Sequence, residues 1–182
     1  MYHELLMRAI AHPVPRKPPG RFGFVSPTYT QSKDVAWEYL KSYSRPFLSE
    51  TPNLWNGSRI RLYGADNPDS LRGLGFDGLV IDEYADVSPS LYPAVLRPAL
   101  SDRKGRCTFI GTVKGRNHLW KTYEDARGDP EFYTALLPAS KQACFRTRNW
   151  PPRVRIWATR NISPSSNATR QARSSAPILA RR

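Results

Sequence analysis

The stretch 78-GLVIDEYADVSP-89 decides how the rest of the chain is read. Leu79, Val80 and Ile81 form a continuous apolar run, the profile of a strand in a parallel sheet covered on both faces, and the run ends in the paired acids Asp82 and Glu83. Such a strand has a specific use in nucleotide hydrolysis. The first acid, at the carboxyl end of the strand, holds the shell of a magnesium ion, and the second orients and deprotonates the attacking water. The same six residues also describe an ordinary strand that ends in a surface acid pair, so the neighbourhood has to separate the two readings.

Working outward, strands and helices alternate. Residues 2–11 place Leu5, Leu6, Ala9 and Ile10 at helical spacing, and the prolines that follow forbid continuation. The segment 21-RFGFVSP-27 reads as a short strand, and 30-TQSKDVAWEYLKSY-43 as a helix beginning near Thr30 or Gln31. Asn56-Gly57 ahead of Ile60, Leu62 and Tyr63 predicts a tight hairpin. A helix interrupted by Pro93 and Pro98 is expected in 90-SLYPAVLRPAL-100. It leads to a second buried strand, 107-CTFIGT-112, and a helix in 117-NHLWKTYEDA-126 capped by Asn117. Elements alternating at this length predict an α/β domain, a mostly parallel sheet flanked by helices, over residues 1–140.

The charge is unevenly distributed. Of the net +13, the last 42 residues hold +10, with Arg or Lys at ten positions and no acid; the first 140, with 18 basic and 15 acidic residues, hold +3. Residues 141–182 are rich in Arg, Ser, Ala and Pro without helical or strand period, which predicts a disordered basic tail. Such a tail is drawn to nucleic acid in a salt-dependent way, and Trp150 and Trp157 among its arginines could stack on bases. With no apolar run of membrane-spanning length and no leader pattern, the chain is expected to be soluble and cytoplasmic. Cys107 and Cys144 have no metal-ligand spacing, and Cys107 is expected in the core.

Several ordered segments, 26-SPTYTQSKDVAWEYLK-41, 56-NGSRIRLYGADNPDSLRGLGFDGLVIDEYADVSPSLYPAVLRPALSDRKG-105 and 109-FIGTVKGRNHLW-120, together resemble the ATPase domain of the large terminase subunit of tailed bacteriophages. The resemblance implies a P-loop NTPase fold of the ASCE type and a motor that packages viral DNA into capsids. Its implied partners are double-stranded DNA, the portal, the small terminase subunit and further large subunits in a ring; its implied cofactors are ATP and Mg2+. It assigns Asp82 to the magnesium shell, through water, and Glu83 to catalysis. Gly111 and Thr112 open the coupling motif that senses the γ-phosphate, with Val113 where proline is usual and Lys114 and Gly115 retained. Arg72 falls where some members place an arginine that reaches a neighbouring subunit's nucleotide, although a turn-flanking surface charge explains it equally well. Tyr29, Gln31, His118 and Asp86 are read as structural.

The phosphate cradle that should accompany the acids, G-x-x-x-x-G-K-[ST], is missing from the 182 residues. The first helix resembles the one that follows the cradle, so the chain is expected to begin just after it. No acid follows Glu131, whereas the family continues into a nuclease domain with clustered acids. The abrupt change of composition predicts a chain truncated before the cradle and frameshifted near residue 141. ATP and Mg2+ are then expected to bind weakly and hydrolysis to be absent. The competing readings are a non-enzymatic module that binds DNA or an intact terminase through tail and body, and another P-loop motor such as a helicase.

Overall fold

In the computed structural model, residues 2–13, 18–47, 53–138 and 154–161 are described. The chain runs α1 (Tyr2–Ile10), β1 (Arg21–Ser26), α2 (Tyr29–Ser44), β2 (Arg59–Gly64), β3 (Gly78–Ile81), α3 (Arg97–Ser101), β4 (Arg106–Thr112), α4 (His118–Ala126), β5 (Phe132–Pro138) and β6 (Val154–Asn161). One sheet holds all six strands in the order β2-β1-β3-β4-β6-β5. The pairs β1–β2, β1–β3 and β3–β4 are parallel, so these four strands end at one edge of the sheet.

The apolar runs are continuous because both faces are covered. Alternate residues go to opposite sides: Val25, Leu79, Ile81, Cys107 and Phe109 pack with Leu91, Leu96, Leu100 and Leu119. Phe22, Phe24, Val80 and Ile110 pack with Leu5, Leu6 and Ala9 of α1 and Ala36 and Leu40 of α2. Cys107 is fully buried in the first of these layers, as a core thiol.

Three expectations are corrected. The Asn56-Gly57 turn exists, with Gly57 at φ +75° and Leu54 and Ser58 bonded across it, but β2 pairs in parallel with β1 and there is no hairpin. The turn serves α1 instead: Asn56 Nδ2 donates to the carbonyls of Ala9 (2.8 Å), Ile10 (3.1 Å) and His12 (3.3 Å), which a helix end leaves open. The helix expected at 90–100 starts as a π-type turn over Tyr92–Leu96 before α3, because Pro93 and Pro98 withhold backbone donors from a regular α ladder.

The third correction concerns the tail. Val154–Asn161 forms β6, antiparallel to both β4 and β5. The sequence VRIWATRN is rich in β-branched and aromatic residues, and β4 offers it an open ladder. The rest of the expected tail, 141–153 and 162–182, lies outside the described residues, Cys144 and Trp150 with it. Among the described residues no helix is long and apolar enough to cross a membrane.

Candidate functional site at the strand ends

The β1–β3 ladder pairs Val25 with Ile81, and the Asp82 N–H extends it one step by donating to the Val25 carbonyl at 2.8 Å. The chain then turns sharply. Glu83 takes the left-handed conformation, φ 46° and ψ 47°, at a cost of about 1–2 kcal/mol for a residue with a Cβ. The turn takes the backbone from the sheet into a 3-10 turn over Tyr84–Asp86, so the two acids stand at the junction of strand and loop, both half-buried.

This loop is tied to the loop after β4 at several points. Glu83 Oε2 accepts a long hydrogen bond from the Thr112 N–H, 3.4 Å. Both Asp86 carboxylate oxygens lie 2.7 Å from Lys114 Nζ. His118, first residue of α4, donates from Nε2 to the Tyr84 carbonyl at 2.6 Å and sets its ring edge-on to that of Tyr84. Tyr84 also packs against Phe109 and is almost completely buried. Burial pushes its hydroxyl up to about 12, with the Cys107 thiol adding to the shift and a hydrogen bond with Thr122 opposing it. Gly111 permits the approach: a Cβ there would stand 3.0 Å from Leu119 Cδ2 and 3.2 Å from the Tyr84 nitrogen.

Of the residues singled out in the sequence, Asp82, Glu83, Gly111 and Thr112 are therefore brought together. Arg72 stands apart from them: its side chain is 60% exposed and its Nε bonds Asp69 in its own turn, at 2.9 Å. Tyr29 opens α2 and is exposed, and Gln31 supplies the N–H that the Thr28 hydroxyl caps. Val113 packs partly against the core. The sequence reading missed the ties made by His118 and Asp86. For Asp86 the spacing of an acid five residues beyond the strand and a lysine in GTVKG was a signal. For His118 there was none, since its partner is a main-chain carbonyl 34 residues away.

An open, mostly parallel sheet with helices on both faces and carboxylates where a strand ends is the architecture of doubly wound proteins, whose ligands lie at the carboxyl ends of the strands. Within that class, the chain is similar to phage large terminase subunits. It is 33% identical over 81 residues to that of Thermus phage G20c, which covers 44% of this chain and 17% of the relative. To that of Escherichia phage T5 it is 27% identical over 110 residues, covering 54% of this chain and 25% of the relative. The chain thus spans a quarter or less of these relatives' length. Among solved structures, the large terminase ATPase domain of Thermus phage P74-26 shares the fold, with a TM-score of 0.55 and 24% identity over 70% of this chain and 59% of that one. No protein-family model matches the chain.

Proposed function

We propose that the chain is a portion of the ATPase domain of a phage large terminase, inherited from a DNA-packaging motor and inactive in hydrolysis by itself. The observation that supports this reading most is the acid pair at the end of β3, with Glu83 bonded to the Thr112 N–H and the turn that follows it held by Lys114 and His118. In an intact site, Asp82 would hold magnesium through water, Glu83 would orient and deprotonate the attacking water, and Gly111 and Thr112 would begin the coupling loop.

The residues fit magnesium better than they fit the nucleotide. Hard carboxylate oxygens suit the ion, which keeps several of its waters. Among the described residues no three His, Cys, Asp or Glu side chains form a direct metal cage. The triphosphate, in contrast, needs a nest of backbone N–H groups and a lysine, and the sequence contains no segment of that form. Magnesium-bound ATP supplies the phosphoryl group in such sites; no step of its hydrolysis is assigned to this chain alone.

The purified chain is therefore expected to release no phosphate from Mg-ATP above the rate of its Glu83→Gln variant. Turnover that disappears in Glu83→Gln would overturn the inactivity and support the catalytic role of that residue. Partners follow the same reading: duplex viral DNA, portal, small subunit and neighbouring large subunits belong to the intact motor. The charge of residues 141–182 favours a second reading, a non-enzymatic module that holds DNA or docks on a complete terminase through its basic tail.

A further inference from the structure

The face of α2 beside the sheet edge has no part in the strand-end site. Tyr29, Lys33, Trp37 and Lys41 follow one another at intervals of four, so they are neighbours along one surface stripe of the helix. The stripe alternates aromatic and cationic side chains over about 18 Å. Opposite it runs β2, the outermost strand of the sheet, with Arg59 and Arg61.

Two adjoining grooves, of about 270 and 590 Å³, lie between helix and strand and share Trp37, Arg59, Ile60 and Leu62 in their walls. The floor of the smaller one is apolar, with Leu40 and Leu54 buried beneath. All six residues of the stripe and its opposing arginines line one groove or the other. No Asp or Glu is among the described lining residues. Arg59 shows the crowding of charge, its pKa lowered by burial first and then by Arg61 and Arg21. Tyr29 is 54% and Trp37 42% exposed, so both present ring surface to solvent. Lys41 lies 5.5 Å above the Trp37 ring and pairs with Glu38 at 2.8 Å, on the solvent side of the helix.

We infer that this groove binds single-stranded nucleic acid, its bases stacking on Tyr29 and Trp37 and its phosphates facing Lys33, Arg59 and Arg61. A cationic channel that follows the backbone, with aromatic platforms set among the charges, is how strands are held without sequence preference. A duplex keeps its base faces stacked inside and cannot use the platforms. An acidic peptide could satisfy the cations by adding a strand to β2, but it would leave the alternation of aromatic residues without a purpose.

The test is the anisotropy of a fluorescein-labelled oligothymidylate of about twelve nucleotides, titrated with the full chain at two salt concentrations. Trp37→Ala should weaken binding about tenfold, Trp37→Phe should restore most of it, and Arg61→Ala should lower the salt slope by about 0.7. A variant with Arg170, Arg173, Arg181 and Arg182 changed to serine should show the same Trp37 effect. Duplex of the same length should be indifferent to Trp37→Ala. Far-UV circular dichroism checks that each variant is folded. The inference is overturned if oligothymidylate affinity ignores Trp37 and Arg61 and follows the tail arginines, or if Trp37→Ala weakens duplex equally. A Glu-rich peptide that outcompetes the oligonucleotide, sensitive to Arg61 and insensitive to Trp37, would also overturn it and assign the groove to a protein partner.

Discussion

At the opposite edge of the sheet from the acid pair, Asp77 and Arg103 form an ion pair whose side chains are only 5% and 11% exposed. Asp77 Oδ2 accepts from Arg103 Nε at 2.9 Å and from the Arg21 N–H at 2.9 Å, and Arg103 Nη2 donates to the carbonyls of Pro19 and Pro18. One pair therefore fastens the start of β1, the approach to β3 and the turn after α3. Asp77→Leu leaves a buried guanidinium without its counter-charge, and Arg103→Met leaves a buried carboxylate; each is expected to destabilise the fold by about 3–5 kcal/mol. The double variant removes both charges together and leaves neutral groups, the Arg21 N–H and two proline carbonyls among them, short of a partner. Its cost should be about 2 kcal/mol, below that of either single change. In urea, with a slope of about 2 kcal/mol per molar, each single variant should lower the unfolding midpoint by about 2 M and the double by about 1 M. If the double variant loses as much as the two singles added together, the charges act independently and the reasoning fails.

Two further outcomes follow from buried polar groups. Between pH 10 and pH 12 an unfolded tyrosine has lost its proton while Tyr84 keeps it, so unfolding releases a proton and stability falls as pH rises through that window. Relative to Tyr84→Phe, whose curve lacks this slope, the wild-type chain should lose about 2–3 kcal/mol across the window in urea melts; parallel curves would show that the hydroxyl is not held protonated. Asn56→Ala should cost about 1–2 kcal/mol by opening the carboxyl end of α1, and Asn56→Asp a similar amount because it cannot donate. A midpoint unchanged in both would mean that water caps the helix equally well.

What the sequence revealed depended on how local its causes were. The apolar runs of β1, β3 and β4, the Asn117 cap and the acids at 82 and 83 depend on neighbours a few residues away, and all stand where the pattern predicts. Asn56-Gly57 is locally a turn signal, and the turn forms; which strand pairs with β2 is a non-local matter that a dipeptide does not specify. Phe132–Pro138 escaped notice because FYTALLP ends the balanced part of the chain with little alternation, and Val154–Asn161 was obscured by the arginines around it. β6 owes its place to the open ladder of β4, and β5 to that of β6, as much as to their own composition. In the site, residue types revealed the acids but not what holds them, since His118 bonds a main-chain carbonyl and Thr112 offers its main-chain N–H.

That distinction explains how a strand-end constellation can stand without a phosphate cradle. Tyr84 is anchored by the core on one side and by His118 on the other, Gly111 leaves room for the close approach, and Asp82 is an added rung of the sheet. These contacts lie within the protein, and through them the packing of β3, β4 and α4 sets the geometry around Glu83. The Asp86–Lys114 pair adds little to that geometry, since both side chains are about half exposed and such pairs are worth about 0–1 kcal/mol. It is the most solvent-exposed of the ties, and another anion could take the place of Asp86 on Lys114. The loop after β4 would therefore come free first at Lys114, while His118 keeps the Tyr84 end fixed.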